Sequence, residues 1–338
     1  MKNLLIALTI LATATPAAPQ SVEKKKVMVT LPALKSITDA LAGGDFDVTA
    51  LAKPDQDAHT VSPTPILMDK LAHADLFIEI GLQLELWADQ VANGSNNANI
   101  MTGAKGRLIA SDGITPEEIP SVVKRSEGDI HPQGNPHIWL DPIRVKQIAE
   151  NIAKGLIKIA PDKEKVVLER LKKFQDRIDD AMFGPELIKE MKGSRTLLRK
   201  LGDGTLFQWL EDRKLADKAG GWIKLTQPLR GVKMIEYHKT WIYAAKNFGF
   251  QIVGGIQSKP GIEPGPKHLA ELKRMIADEK VKAIIVDNFY PTSVPNALAQ
   301  DTGVKVAVVP GQPGGEAGTD DYVDFMTHVL QKLVEAVK

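Results

Sequence analysis

Seven histidines occur in the 338-residue chain, and three of them share a setting that could do chemistry. His59 lies in a polar, proline-containing loop, Lys53-Pro54-Asp55-Gln56-Asp57-Ala58-His59-Thr60. His137 lies in Asn135-Pro136-His137-Ile138-Trp139-Leu140-Asp141-Pro142, on the loop that feeds a helix opened by Pro142. His238 closes a strand-like run, Val232 to His238. Three neutral imidazoles suit a zinc ion at about 2.0–2.1 Å, with a fourth ligand or water completing a tetrahedron. The three are far apart in sequence, so they form a site only if the fold brings their loops together. There is no cysteine, which excludes thiolate ligands, a cysteine nucleophile and a lipid-modified N-terminal cysteine. Any metal site must use histidine and carboxylate. No Gly-x-Ser-x-Gly, His-Glu-x-x-His or phosphate-loop pattern appears.

The elements that would position these residues alternate between two periodicities. Short apolar runs at 26–31, 46–51, 76–81 and 107–110 read as strands, with helical patterns between them. A second series of strands follows at 232–238, 251–255, 281–287 and 304–309. Strands alternating with helices imply parallel sheets, hence two α/β lobes. Between them the apolar positions Val166, Val167, Leu168, Leu171, Phe174, Ile178 and Met182 recur at helical spacing. That pattern predicts a connecting helix of about 30 residues, roughly 45 Å long, with a possible break at Gly184-Pro185. Ligands of open parallel sheets bind at the carboxyl ends of strands. Two lobes with those ends facing each other would bring His59 and His137 from the first lobe and His238 from the second into one cleft.

The expected boundaries are a signal peptide over 1–20, an N-terminal lobe over 21–158, the connecting helix over 159–192 and a C-terminal lobe over 193–338. Residues 195–230 read as an insertion of small helices. The N-terminus has a basic Met1-Lys2-Asn3 and an apolar Leu4–Leu11 run too short to span a bilayer. This predicts secretion to the periplasm, and no later run approaches membrane-spanning length. The net charge of +1 leaves no electrostatic footprint for nucleic acid or a membrane surface. A monomer without a lipid anchor is expected.

The Asp-Ala-His-Thr of residues 57–60 with Pro63-Thr64-Pro65 downstream, the stretch 135–142, and Tyr237-His238-Lys239-Thr240-Trp241-Ile242-Tyr243 resemble the zinc/manganese solute-binding proteins of ABC transporters, the cluster A-I periplasmic metal-binding family. The likeness covers nearly the whole chain beyond its leader. It implies capture of a divalent metal between two α/β lobes, delivery to an ABC permease, and no enzymatic activity. His59, His137 and His238 match the first three ligands. Manganese-preferring members tend to carry a carboxylate at the third position, so His238 points to Zn²⁺ over Mn²⁺.

The family usually places an aspartate in the loop after the final strand, and here that loop reads Val309-Pro310-Gly311-Gln312-Pro313-Gly314-Gly315-Glu316. Asp287, ending the preceding strand, is the expected substitute as fourth ligand, with Glu316 or water as alternatives. The family's histidine-rich loop is reduced to His131 with Glu127 and Asp129, and His131 reads as a solvated loop residue. His73, His268 and His328 fall on helix patterns, as surface or packing residues. Asp141, Glu236 and Tyr237 are candidates to accept hydrogen bonds from metal-bound imidazoles, and Asp141 equally fits a helix cap. The rival readings are a three-histidine zinc hydrolase and a manganese or iron carrier on the same fold.

Overall fold

The computed structural model describes residues 23–120, 131–257 and 261–338. The leader at 1–20 and the residues Glu127 and Asp129 lie outside the described residues.

All eight strands are present, in two separate four-stranded parallel sheets. The first contains β1 (Lys25–Val29), β2 (Phe46–Ala50), β3 (Leu76–Glu79) and β4 (Arg107–Ile109), in the order β2-β1-β3-β4. The second contains β5 (Lys233–Glu236), β6 (Gln251–Gly255), β7 (Ala283–Asp287) and β8 (Lys305–Val309), in the order β6-β5-β7-β8. Each thus repeats one winding, with the first strand of the unit central and its order reversing there. That reversal is where the loops at the strand carboxyl ends part to leave a crevice.

The helices of the first unit are α1 (Pro32–Ala42), α2 (Pro65–Ala72), α3 (Ala88–Gly94) and α4 (Pro142–Ile159). After α5 (Glu164–Phe183) come the short α6 (Pro185–Met191), α7 (Arg195–Gly202), α8 (Leu206–Asp212) and α9 (Gly221–Leu225). The second unit adds α10 (Ile242–Phe248), α11 (Pro266–Asp278), α12 (Ser293–Thr302) and α13 (Tyr322–Val337). Among the described residues no helix is long and apolar enough to cross a membrane.

The connector is α5, and it is shorter than its periodicity suggests: 20 residues, about 30 Å at 1.5 Å per residue. A single 3₁₀ turn at Pro161–Lys163, with no buried side chain, precedes the helix, and the apolar stripe from Val166 to Met182 lies inside it. The helix stops at Gly184, whose φ of 81° lies where a side chain is strained. A Cβ there would also stand 2.7 Å from the Gly220 Cα, so the chain turns where α5 meets the start of α9. One face of α5 buries Val167, Phe174, Ile178, Met182 and Phe183. It packs on α1 and α4 of the first unit and on α9 and α13 of the second.

The apolar interior is correspondingly shared. A single cluster runs from Val27, Val29 and Ile78 of the first sheet through α4 and α5 to Met234, Ile285, Phe325 and Leu330 of the second unit. Successive strand residues point to opposite faces. Ile235, Ile284 and Val286 therefore bury against α11 and α12 in a second, smaller cluster. A continuous core across both units resists relative motion of the lobes far more than a small polar interface would.

Candidate metal centre

Each of the three histidines is set by a local device encoded beside it. His59 sits in the middle of a 3₁₀ turn, Ala58–Thr60. Asp57 caps that turn by accepting from His59 N at 2.9 Å, and Trp87 Nε1 donates to Ala58 O at 2.8 Å. His137 precedes the 3₁₀ turn Ile138–Leu140. There Trp139 Nε1 reaches across to Gly311 O at 3.1 Å, and Tyr322 Oη donates to Trp139 O at 2.8 Å. His238 follows β5 directly. Glu236 accepts from Thr240 N at 3.1 Å and Trp241 N at 2.8 Å, which folds the chain back and fixes the turn that carries His238.

The fold brings the three imidazoles together. Their ligand atoms lie within 4.8 Å of one another, and His59 Nε2 stands 3.3 Å from His137 Nε2. Two ligands held 2.0–2.1 Å from one ion at the tetrahedral angle are about 3.3–3.4 Å apart. Ring centroids are 5.3 Å (His59–His137), 5.0 Å (His59–His238) and 5.4 Å (His137–His238). Three imidazoles pointing at one such ion have centroids about 5 Å apart. His137 and His238 are each 4 % exposed, and His59 is half-buried.

The outward nitrogens set the tautomers. Asn135 Nδ2 donates to Glu118 Oε2 at 2.8 Å and to Lys239 O at 2.9 Å, both acceptors. The amide oxygen therefore faces His137, accepting from its N at 3.0 Å and its Nδ1 at 2.9 Å. Gln257 Oε1 accepts from Gly261 N at 3.0 Å, so His238 Nδ1, 2.8 Å away, must also donate to it. Both rings then turn the Nε2 lone pair inward, as a metal requires. Burial, and then the neighbouring imidazoles, hold the pKa of His59 and His137 well below the usual imidazole value. They are neutral, ready donors at pH 7.

The remaining sequence-predicted residues take other places. Asp287 is completely buried at the end of β7. It lines a cavity of about 10 Å³ with His59, His137, Trp139, Thr240 and Tyr290, the space of about one water-sized sphere. It is not part of the three-histidine group. Neither carboxylate oxygen makes a hydrogen bond of normal geometry, and the nearby Trp241 Nε1 is equally unpartnered. Burial pushes the Asp287 carboxyl up to about 7. Glu316 is committed elsewhere: Lys332 holds it at 2.5 Å and His328 at 2.7 Å, as an ordinary loop-to-helix ion pair. Asp141 turns away from the imidazoles. It caps α4 through Ile143 N at 2.9 Å and Arg144 N at 3.2 Å and pairs with the Arg144 guanidinium. Glu236 braces the His238 turn through backbone amides instead of accepting from the ring, and burial lifts its carboxyl to about 8. Tyr237 donates to Glu263 at 3.1 Å and stacks on Tyr290, 4.7 Å between centroids. Among the described residues the amides Asn135 and Gln257 lie within reach of the ring nitrogens of His137 and His238. Asn135, two residues before His137, was open to notice in the sequence; Gln257 follows β6 and carries no local signal.

His131 also departs from its expected place in solvent. Its ring lies 5.0 Å from that of His59 and 6.5 Å from that of His137, and the residue is half-buried. His73 is exposed at the end of α2, and His268 bonds Gly255 O at 2.9 Å, so neither belongs to the centre.

Comparison with known proteins agrees with this architecture. The family model described as zinc-uptake complex component A, periplasmic (ZnuA) matches residues 27–182 and 214–336. The gap between them covers α6, α7 and α8. The zinc-binding protein AdcA of Streptococcus pyogenes serotype M6 is 24 % identical over 323 residues, covering 92 % of this chain and 55 % of its own length. The chain therefore spans about half the length of that relative. The high-affinity zinc uptake system protein ZnuA of Yersinia pestis is 22 % identical over 336 residues, covering 95 % of this chain and 94 % of its own. A crystal structure of ZnuA superposes with a TM-score of 0.68 at 22 % identity, over 94 % of this chain and all of that one. With the family model spanning both lobes, the chain belongs to the zinc-uptake complex component A family.

Proposed function

We propose that this protein is a solute-binding protein that captures Zn²⁺ outside the cytoplasmic membrane and delivers it to an ABC permease for import. One observation carries the reading: three imidazoles from three distant loops, two of them in the first lobe and one in the second, converge within 4.8 Å at a spacing suited to a tetrahedral ion. His59, His137 and His238 are the ligands. Asp287, across the water-sized gap, supplies negative charge that offsets the dication inside the protein. The reaction is ligand exchange, with no bond-making chemistry. Nitrogen donors favour zinc over manganese, which prefers oxygen. Family membership and the zinc-uptake names of the relatives support the same reading. The periplasmic location rests on the leader-like N-terminus and on the family.

Titration calorimetry on metal-free protein, with a competing chelator, tests the assignment. The wild type should bind one Zn²⁺, and His137→Ala and His238→Ala should each lose affinity by orders of magnitude. Unchanged affinity in both variants would place the site elsewhere.

A further inference from the structure

We infer that Tyr243, from the second lobe, is a positioning residue of the metal centre: it holds Asn135, and through Asn135 the imidazole of His137, so that His137 and His238 are presented to the ion as one fixed pair. The inference rests on the three-histidine reading above. Tyr243 lies in α10, shortly after His238, and is completely buried. Its hydroxyl crosses to the first lobe, where it donates to Asn135 O and accepts from Glu117 N at 3.1 Å. The guanidinium carbon of Arg144 stands 4.8 Å from the centre of its ring. That arginine is itself held by Asp141, Thr115 O and Glu117. The phenol is thus fixed at both its ring and its tip.

Asn135 is where the two lobes grip the site together. Its N donates to Glu117 O at 2.8 Å, and its Nδ2 donates to Lys239 O at 2.9 Å. Its Oδ1 accepts from His137 N and Nδ1. The peptide between Asn135 and Pro136 has no N–H, because proline lacks one. Asn135 O is therefore its one polar handle, and Tyr243 takes it. This is the peptide that leads through Pro136 into His137. With it held, and with the amide held at its far end by Lys239 O, Oδ1 stays on the His137 ring. Lys239 and Tyr243 both belong to the segment that carries His238. Glu236 anchors that segment by accepting from Thr240 N and Trp241 N. A run of hydrogen bonds therefore leads from His137 through Asn135 to residues 239–243, and the rings of His137 and His238 keep one relative placement. None of these bonds reaches the His59 turn at 58–60.

Tyr243→Phe keeps the ring beside Arg144 and removes only the hydroxyl, so it tests the hold itself. Three readouts would be compared with wild type. They are metal-free melting, Zn²⁺ affinity by chelator competition, and long-range ¹H–¹⁵N spectra of the metal-free protein, which show which nitrogen of His137 carries the proton. Tyr243→Phe should weaken zinc binding about tenfold and give His137 a mixture of tautomers. Lys246→Met is the control. It removes an exposed ion pair between α10 and the same loop, Lys246 Nζ to Glu117 at 2.9 Å, and should keep wild-type affinity and tautomer. In an Asn135→Ala background Tyr243→Phe should cost no further affinity, because the amide it acts through is gone. The inference is overturned if Tyr243→Phe binds zinc within about twofold of wild type with His137 still protonated on Nδ1, even at lowered stability. It is also overturned if the affinity losses of Tyr243→Phe and Asn135→Ala add. Failure of wild-type protein to bind zinc, or full binding by His137→Ala, would instead remove the three-histidine reading, and the metal-free tautomer of His137 in Tyr243→Phe would still decide what Tyr243 holds.

Discussion

Replacing Asn135 by alanine should damage the metal centre without touching a ligand. Its side chain makes four hydrogen bonds: to His137 N and Nδ1 through Oδ1, and to Glu118 and Lys239 O through Nδ2. The residue is 5 % exposed and the ring it holds is 4 % exposed. The variant leaves His137 Nδ1–H and Lys239 O without their partner, each a cost of about 1–3 kcal/mol when buried. More specifically, it frees the imidazole to rotate and to change tautomer. Losing the partner of a metal-bound histidine lowers metal affinity about 10–100-fold, or about 1.4–2.7 kcal/mol at 1.36 kcal/mol per decade. The assay is chelator competition for Zn²⁺, beside long-range ¹H–¹⁵N correlation spectra that report which nitrogen of His137 carries the proton. A variant that binds within twofold of wild type, with His137 still protonated on Nδ1, would refute the idea that Asn135 selects the ligand form. Stability alone falling would assign Asn135 a structural role only.

Three other perturbations have definite outcomes. Gly134→Ala should destabilise the metal-free protein by about 1–3 kcal/mol, read by denaturant unfolding, and should weaken zinc binding as well, since the turn it breaks carries His131 and His137. Tyr290→Phe removes the 3.0 Å bond from Tyr290 Oη to Asp57 Oδ2, which ties the His59 turn to the second lobe; about 1 kcal/mol of stability and a faster zinc release in stopped-flow chelation should follow. The third concerns pH. Burial raises Glu85 to about 7 and Glu236 to about 8. Below about pH 4.5 both forms of the chain hold these protons. As pH rises the unfolded carboxyls ionise first, so stability is lost up to the folded values, by on the order of 3 kcal/mol for Glu85. His59 and His137, with lowered values, act oppositely and weaken the fold as pH falls below about 6.5. Glu85→Gln should therefore show a flatter metal-free stability curve than wild type between pH 5 and 7, and identical slopes would refute the assignment.

Most of the architecture was legible because it is written in short-range pattern. Seven of the eight strands fall inside the apolar runs that announced them and β1 begins one residue before its run, since strands in a parallel sheet tend to read as continuous apolar blocks. The length of α5 was misread for the same reason: its stripe of Val166 to Met182 says which face is buried, while the ends are set by Glu164 and by Gly184, whose conflict with Gly220 is a contact across 36 positions. At the site, His59, His137 and His238 were recognisable by their loops and by their likeness to a family. Their amide partners were not, because a hydrogen bond from His238 to Gln257 depends on β5 and β6 lying side by side. Asp141 and Glu236, expected as imidazole partners, each cap backbone amides through one oxygen, and Asp141 gives its other oxygen to Arg144, a usual fate of a carboxylate at a helix or turn start.

The placement of charge around the centre explains why amides and not carboxylates grip the rings. A carboxylate on a ring nitrogen would raise the basicity of the bound imidazole and would tighten the hold on the ion. Asn135 and Gln257 fix orientation and tautomer with neutral groups, while the nearest buried carboxyls, Asp287 and Glu236, have their pKa values raised by burial to about 7 and about 8. The metal-free cavity is thereby close to neutral, with uncharged imidazoles and an Asp287 able to hold its proton near pH 7. On the proposed function, a protein that both takes up and surrenders its ion benefits from that balance. Binding recruits the Asp287 charge when the dication arrives, and a proton can reoccupy it when the ion leaves. The continuous core joining the lobes disfavours release by wide opening of the cleft. Exchange then proceeds mainly through local motion at the half-buried His59, on an otherwise fixed frame.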